Sequence, residues 1–270
     1  VKYQYTWEEA VSWLKRQPDQ AELVRACYFD DPLINAAKRF YSSTEWKTVQ
    51  EILADKRGNS ALDIGAGRGI SSYALVMDGW KVTAVEPDRS DIVGSGAINK
   101  LFSQEQLSIE IVGEWGEKLP FNDNSFELVY ARQVLHHAAD LYKFCQEVFR
   151  VLKPGGMFLA TREHVIDKES DLNIFLDSHP LHHLYGGENA YMLKQYKDAI
   201  KKSGLKIIKT LAPYDSDINL FPSSRDNIVA NLARKYSTAL PNTCYKIILL
   251  LNNIRNNTPG RLYSFITKKI

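Results

Sequence analysis

Cysteine is scarce and scattered. Cys27, Cys145 and Cys244 are the only three, so the chain offers neither a disulfide framework nor a Cys-x-x-Cys zinc or redox motif. A reducing, cytoplasmic setting is the expectation. A surplus of charge is missing as well: 34 Lys and Arg face 32 Asp and Glu, for a net +2. No segment gathers the basic residues into a tail or stripe, so no nucleic-acid partner is expected. Long apolar runs are absent; the stretch from Ile247 to Leu251 is far shorter than the roughly 20 residues of a membrane span. Glu8 and Glu9 stand where a signal peptide would be apolar, and no membrane partner is expected. Internal repeats and low-complexity segments are lacking too. What remains, at 270 residues, is a chain sized for one large domain, or one domain with an elaborate insertion, and for a substantial core.

Within that frame the apolar pattern has two periods. Trp7, Val11 and Leu14, then Ile34, Ala37, Phe40 and Tyr41, recur at three- and four-residue intervals. This predicts an N-terminal helical cap over residues 1–57, broken at Asp31-Pro32. From residue 58 short apolar strands alternate with helices. Strands are expected at 60–64, 81–85, 108–112, 126–131, 157–162, 205–211 and 261–267, and helices at 70–77, 92–104, 141–152 and 190–202. Such alternation predicts an α/β fold, a doubly wound, mainly parallel, seven-stranded sheet covered on both faces. Residues 58–212 and 259–270 form the expected core. Residues 213–258 read as a helical insertion before the last strand, clearest from Arg225 to Tyr236 and from Tyr245 to Ile254.

The strongest local signal is Ala61-Leu-Asp-Ile-Gly-Ala-Gly-Arg-Gly-Ile70, a strand running through a glycine loop into a helix. Gly65, Gly67 and Gly69 let the backbone turn tightly and approach a ligand closely. A dinucleotide loop would carry its last glycine one place later, where Ile70 stands. Asp63, just ahead of the first glycine, would repel a pyrophosphate but suits a cation such as a methionyl amino group. The next strand ends at Glu86, placed to accept both hydroxyls of an adenosine ribose.

These residues resemble the class I S-adenosylmethionine-dependent methyltransferases, specifically the branch with the type 11 domain, from about Ala61 to Thr161. The likeness also rests on the Glu117 to Phe126 segment with its Leu-Pro-Phe, on Leu135-His-His137, and on Arg150-Val-Leu-Lys-Pro-Gly-Gly156. It implies a Rossmann-like core and S-adenosyl-L-methionine as cofactor. By the same resemblance Gly65, Ala66 and Gly67 line the methionine part, Glu86 holds the ribose, and Pro87 and Asp88 flank the adenine. Arg132 and Gln133 lie near the methionyl carboxylate and sulfonium. Where the family usually has an Asp for the adenine amino group, this chain has Trp115. Stacking, or backbone contacts from Gly116 and Glu117, is expected instead.

Methyl transfer is an in-line displacement at a sulfonium carbon, so the protein mainly aligns the acceptor and needs a base only where the acceptor carries a proton. His136 and His137 follow the fourth strand on the ligand-facing rim and are candidate catalytic groups, although the resemblance implies that His137 packs against the loop. His164, which ends the fifth strand in Arg162-Glu163-His164, is a third catalytic candidate, as a general base. Alternation would turn Arg162 and His164 to one side and Glu163 to the other. Beyond it, His179, His182, His183, Tyr185 and Glu188 are the expected substrate-binding residues of a lid. On one helix His179 and His183 would share a face at i,i+4 beside Glu188. No established ligand spacing is matched, and no metal is assigned. Tyr214, Phe221, Arg225, Tyr236 and Tyr245 of the insertion are candidate walls of an acceptor pocket.

The expected function is therefore methyl transfer from S-adenosylmethionine to an oxygen or nitrogen of a small or medium-sized molecule. Two alternatives stand beside it: a metal-assisted methyltransferase that orients a hydroxylated acceptor through the 164–188 histidines, and a cofactor-binding scaffold without transferase activity.

Overall fold

The structure, a computed structural model, describes residues 3–55, 60–236 and 242–270. The expected cap-to-core junction at 57/58, the middle of the expected insertion and the Tyr236 side chain lie outside the described residues. Four helices open the chain: α1 (Trp7–Lys15), α2 (Ala21–Ala26), α3 (Leu33–Tyr41) and α4 (Thr44–Ile52). The core follows as β1 (Ser60–Ile64), α5 (Ile70–Met77), β2 (Lys81–Val85), α6 (Ser95–Gln104), β3 (Glu110–Val112), β4 (Phe126–Arg132), α7 (Leu141–Val151) and β5 (Leu152–Ile166). After these come α8 (Asp171–Ser178), α9 (His182–Tyr185), β6 (Tyr191–Met192), α10 (Leu193–Lys202) and β7 (Leu205–Leu211). The last elements are α11 (Asp217–Leu220), α12 (Arg225–Tyr236), α13 (Asn242–Arg255) and β8 (Arg261–Lys269). No helix among the described residues is long and apolar enough to cross a membrane.

The sheet runs β3-β2-β1-β4-β5-β8-β7, with the two-residue β6 added beside the end of β5. The first five strands are parallel, and β8 is antiparallel to both neighbours. Strand alternation sorts the core into two layers. Leu62, Val129 and Phe158 face α7 and α10, where they meet Phe144, Val148, Tyr196 and Ile200. Ala61, Leu128, Tyr130 and Leu159 face the other way, onto Phe40, Trp46, Ala74 and Leu75. The cap therefore completes one face of the sheet. Its helices carry the start signals this needs: Thr6 and Glu9 form a capping box on α1, and Ser43 caps α4 through the Trp46 N–H.

Several boundaries move. The fifth strand is much longer than the expected 157–162, because β8 continues to pair with it as far as Val165. Residues 190–192 leave the expected helix, since Tyr191 and Met192 pair with β5. A register shift falls between Ala160 and Glu163, and Arg162 takes a left-handed φ of 62°. That bulge breaks the alternation expected at 162–164. Arg162 turns under the cap, donating to the Ile218 and Phe221 carbonyls, while Glu163 and His164 both reach toward His136.

Arginines tie the cap to the strand ends. Arg68, inside the glycine loop, donates to the Tyr28 and Asp30 carbonyls and to Asp31. Arg132 makes a two-pronged contact with the fully buried Glu45 of α4 (2.7 and 3.1 Å), and Arg162 lies 4.0 Å from the same carboxylate. Replacing Glu45 by Ala leaves two buried guanidinium groups without their anion. The expected loss is roughly 3–5 kcal/mol of unfolding free energy, read by urea denaturation.

Candidate functional site

The carboxyl ends of β1, β2, β4 and β5 open onto one cavity of about 730 Å³, the place where open α/β sheets bind ligands. One half is built by the glycine loop. Gly65 has φ 65°, and a Cβ there would stand 2.6 Å from a methyl of Val134. Gly67 has φ 53° and would meet only the Val93 carbonyl, at 3.8 Å. Bare backbone at both positions leaves room for a ligand against the loop. Glu86 accepts from the Gly67 N–H at 2.7 Å and from the Asp88 N–H at 2.9 Å. Burial pushes its carboxyl up to about 7.

Most of the expected cofactor residues share this half: Gly65, Ala66, Gly67, Glu86, Pro87, Asp88, Trp115, Gly116, Glu117, Arg132 and Gln133 all line the cavity. Asp63 and Gly69 do not. Gly69 sits behind the loop as the left-handed cap of α5. Asp63 is buried, accepts the Ser71 and Ser72 hydroxyls, and keeps its other oxygen, Oδ1, without a partner. Desolvation raises its carboxyl to about 6. The side chains of two others are committed elsewhere. Glu117 accepts the Ala139 N–H, and Arg132 is held by Glu45 and by the Gln133 amide oxygen. Trp115 is 66% exposed, an apolar face at the rim. Gly116 presents backbone, because a Cβ there would strike Phe144 at 2.1 Å.

The other half is a histidine cluster. His136 Nδ1 lies 2.7 Å from Glu163 Oε2, while the Val134 and His136 N–H groups donate to the two oxygens of the same carboxylate. Glu163 is fully buried, and desolvation pushes its carboxyl up against the pull of these backbone donors. The imidazole of His136 is held well below its ordinary range, chiefly by burial. The His164 ring stands 4.7 Å from that of His136, and its Nδ1 lies 2.8 Å from the Gly260 carbonyl. A carbonyl only accepts, so Nδ1 carries the proton and Nε2 a lone pair. Burial takes His164 down to about 3. Glu188 closes the group, its Oε2 3.8 Å from His136 Nε2 and its Oε1 3.7 Å from His179 Nε2. The Tyr185 hydroxyl donates to Glu188, and His137 Nδ1 contacts the Gly187 carbonyl at 2.9 Å, fixing the loop that carries it.

The expected lid residues therefore divide. His179, Tyr185 and Glu188 line the cavity, whereas His182 and His183 do not. His179 ends α8 in an extended conformation, so no single helix carries His179 and His183 on one face. His182 pairs with the Tyr3 hydroxyl, and His183 Nε2 contacts the Asp177 carbonyl. Tyr214, Phe221, Arg225 and Tyr245 are likewise absent from the wall. The insertion packs beside the cap instead, with Phe221 stacked on Tyr28 at 5.2 Å. The apolar wall comes from the cap itself: Trp7, Leu14, Leu23 and Phe29, with Val93 and Leu181. Sequence reasoning assigned neither this wall nor Glu163 to the site. The periodic Trp7 and Leu14 signalled a buried helix face without showing what it faces.

Residues 62–160 match the family described as methyltransferase domain. They form a class I S-adenosylmethionine-dependent methyltransferase domain. The chain is 28% identical over 210 residues to squalene methyltransferase 1 of Botryococcus braunii, a match covering 76% of this chain and 51% of that one. This chain thus spans about half the length of that relative. Among solved structures, geranyl diphosphate C-methyltransferase from Streptomyces coelicolor A3(2) aligns with a TM-score of 0.59 and 13% identity, over 99% of this chain and 90% of that one. An S-adenosylmethionine-dependent methyltransferase from Mesorhizobium loti aligns with a TM-score of 0.57 and 16% identity, over 85% and 99%. At such identities the structures establish the shared fold.

The histidine-bearing rim of the methyltransferase domain hangs on Glu163. Glu163→Gln replaces one of two accepting oxygens by an amide that faces N–H donors, and is expected to lower stability by roughly 1–3 kcal/mol. Chemical denaturation reads the loss, and amide hydrogen exchange at Val134 and His136 should rise with it.

Proposed function

We propose that this chain transfers the methyl group of S-adenosylmethionine to an oxygen or nitrogen atom of a medium-sized acceptor with an apolar body. The observation that carries this reading is the single cavity joining the glycine loop to the histidine cluster. On the cofactor side Gly65 to Gly67 carry the methionyl part, and Glu86 accepts the ribose hydroxyls. Pro87 and Asp88 flank the adenine, with Trp115 as the stacking face. Asp63 acts one layer back, its unpartnered oxygen adding negative potential beneath the loop. The fit is good: bare backbone, a carboxylate at the strand end and an orphan anion suit a ligand that carries a diol and an ammonium group.

On the acceptor side Trp7, Leu14, Leu23, Phe29 and Leu181 offer an apolar wall, while the lone pairs of His136, His164 and Glu188 face the reacting hydroxyl or amine. As the new bond from heteroatom to carbon forms, the carbon–sulfur bond breaks and its electron pair returns to sulfur. The heteroatom's proton passes out through the cavity to water, since imidazoles held this far below their ordinary range do not keep it. The cap and the 179–188 segment exclude water from this exchange. Relatives named for squalene and geranyl diphosphate agree with an acceptor whose body is apolar.

Labelled methyl transfer to a panel of hydroxylated and aminated amphiphiles tests the reading. Label at oxygen or nitrogen is expected, and label at carbon overturns the heteroatom assignment. Cofactor binding is a separate test. Glu86→Ala should weaken S-adenosylmethionine at least tenfold by calorimetry, since charge-assisted hydrogen bonds contribute about 1.5–3 kcal/mol each. The diol prefers the ionised carboxylate, so affinity should fall as pH drops through about 7, a slope that Glu86→Gln removes. Trp115→Ala should also bind more weakly; equal affinity would make the indole a bystander.

A further inference from the structure

The lone pairs at the acceptor end present an electrostatic problem. The Glu163 carboxylate, already accepting two backbone N–H groups, takes the Nδ1–H of His136, and this leaves Nε2 as an acceptor. That Nε2 points at Glu188 Oε2, another acceptor, at 3.8 Å. His164 repeats the pattern: its Nδ1–H goes to the Gly260 carbonyl, which leaves Nε2 as an acceptor. The ligand atoms of His136, His164 and Glu188 all lie within 4.8 Å of one another. Three lone-pair atoms thus converge in a buried pocket with no donor among them. Such an arrangement calls for a cation or a hydrogen-bond donor at its centre.

We propose that His136, His164 and Glu188 bind one divalent transition-metal ion of the zinc and iron class on the acceptor side of the cavity. The donor set argues for that class, because two imidazoles and one carboxylate suit zinc or iron(II), whereas magnesium and calcium prefer oxygen ligands throughout. The outer contacts argue for it as well. Each histidine is locked through Nδ1 by a carboxylate or a backbone carbonyl, and Glu188 is fixed by the Tyr185 hydroxyl. That is the support that metal-ligating side chains need in order to hold orientation and tautomer. His179 stands by as a fourth group, its Nε2 3.7 Å from Glu188 Oε1 and its Nδ1 without a partner. A tetrahedral ion with bonds of about 2.0–2.2 Å sets its ligand atoms roughly 3.4 Å apart, so the widest pair closes by roughly 1.4 Å. Rotation of the Glu188 side chain about its own bonds covers that distance without moving the loop that His137 and Tyr185 hold.

The remaining positions of the ion face the cavity. They define the acceptor class of the function proposed above as one whose reacting oxygen or nitrogen can ligate a metal, such as a phenol, a catechol or a hydroxy acid. That refinement rests on the methyl-transfer reading, but the binding of the ion does not.

The test is a titration of the full chain, stripped by dialysis against a chelator, with zinc(II) by calorimetry and with cobalt(II) by visible absorption. One equivalent of zinc is expected, together with the cobalt bands of a four- or five-coordinate ion. His164→Ala and Glu188→Gln should each weaken zinc at least about 100-fold. The His182→Ala, His183→Ala double variant should keep the parent affinity. S-adenosylhomocysteine titrated into the Glu188→Gln protein should bind as it does to the parent, showing an intact fold. Failure to bind either metal at one equivalent overturns the proposal, as does zinc affinity unchanged in both His164→Ala and Glu188→Gln. A protein that binds zinc as expected yet methylates no acceptor supports the site and overturns the transfer reading. Methyl transfer by a chain that binds no metal does the reverse.

Discussion

The buried carboxylate of Glu163 is the contact on which the rest of the site depends. It has no exposure of its own and holds the turn after β4 through the N–H groups of Val134 and His136. Taking such a group out of water is expensive unless several donors meet it, and here backbone and imidazole together do so. The consequences run in both directions along the rim. Val134, pinned by this carboxylate, is the side chain lying against Gly65, so the same contact shapes the floor of the cofactor half. His136, pinned beside it, presents its remaining nitrogen to the acceptor half.

Glu163 reaches that position only because β5 bulges. With Arg162 in a left-handed conformation, three consecutive residues serve three destinations: Arg162 goes to the cap, Glu163 to the β4 turn and His164 to the cavity. The cap is then part of the active end of the sheet and not an appendage. Arg68 holds it to the glycine loop, and Glu45 gathers Arg132 and Arg162 from two strand ends. Removing the cap would leave those guanidinium groups unpaired and the cavity without its apolar wall. Stability and the shape of the cavity are thus coupled through the same helices.

What was legible in the sequence was local. The strand, loop and helix that bear Gly65 and Gly67 are consecutive, and Glu86 ends the very next strand. The glycine loop and Glu86 therefore lie within one βαβ unit whose period and punctuation are visible in order. The acceptor half is assembled from residues 7–29, 134–137, 163–164 and 179–188, and no local pattern announces that they meet. The bulge at Arg162 hid Glu163, because strict alternation points it away. The break at His179 misplaced His182 and His183, which a continuous helix would have brought into line. Aromatic residues of the 213–258 segment suggested pocket walls, yet Phe221 stacks on Tyr28 of the cap, and Ile247, Leu250, Leu251 and Ile254 of α13 are exposed.

The two halves of the cavity differ in charge for a reason that follows from the reaction. During methyl transfer from a sulfonium, positive charge leaves sulfur and builds on the acceptor. A site that places lone pairs and a carboxylate beyond the acceptor, in surroundings too dry to screen them, favours that movement more than it favours the bound ground state. At the other end of the cavity the acidic groups, Asp63 and Glu86, lie beneath the glycine loop and at the end of β2. A metal ion at His136, His164 and Glu188 would serve by a different route: an acceptor oxygen bound there would be held as its anion, so that transfer would neutralise charge on both sides of the moving carbon and would create no new cation.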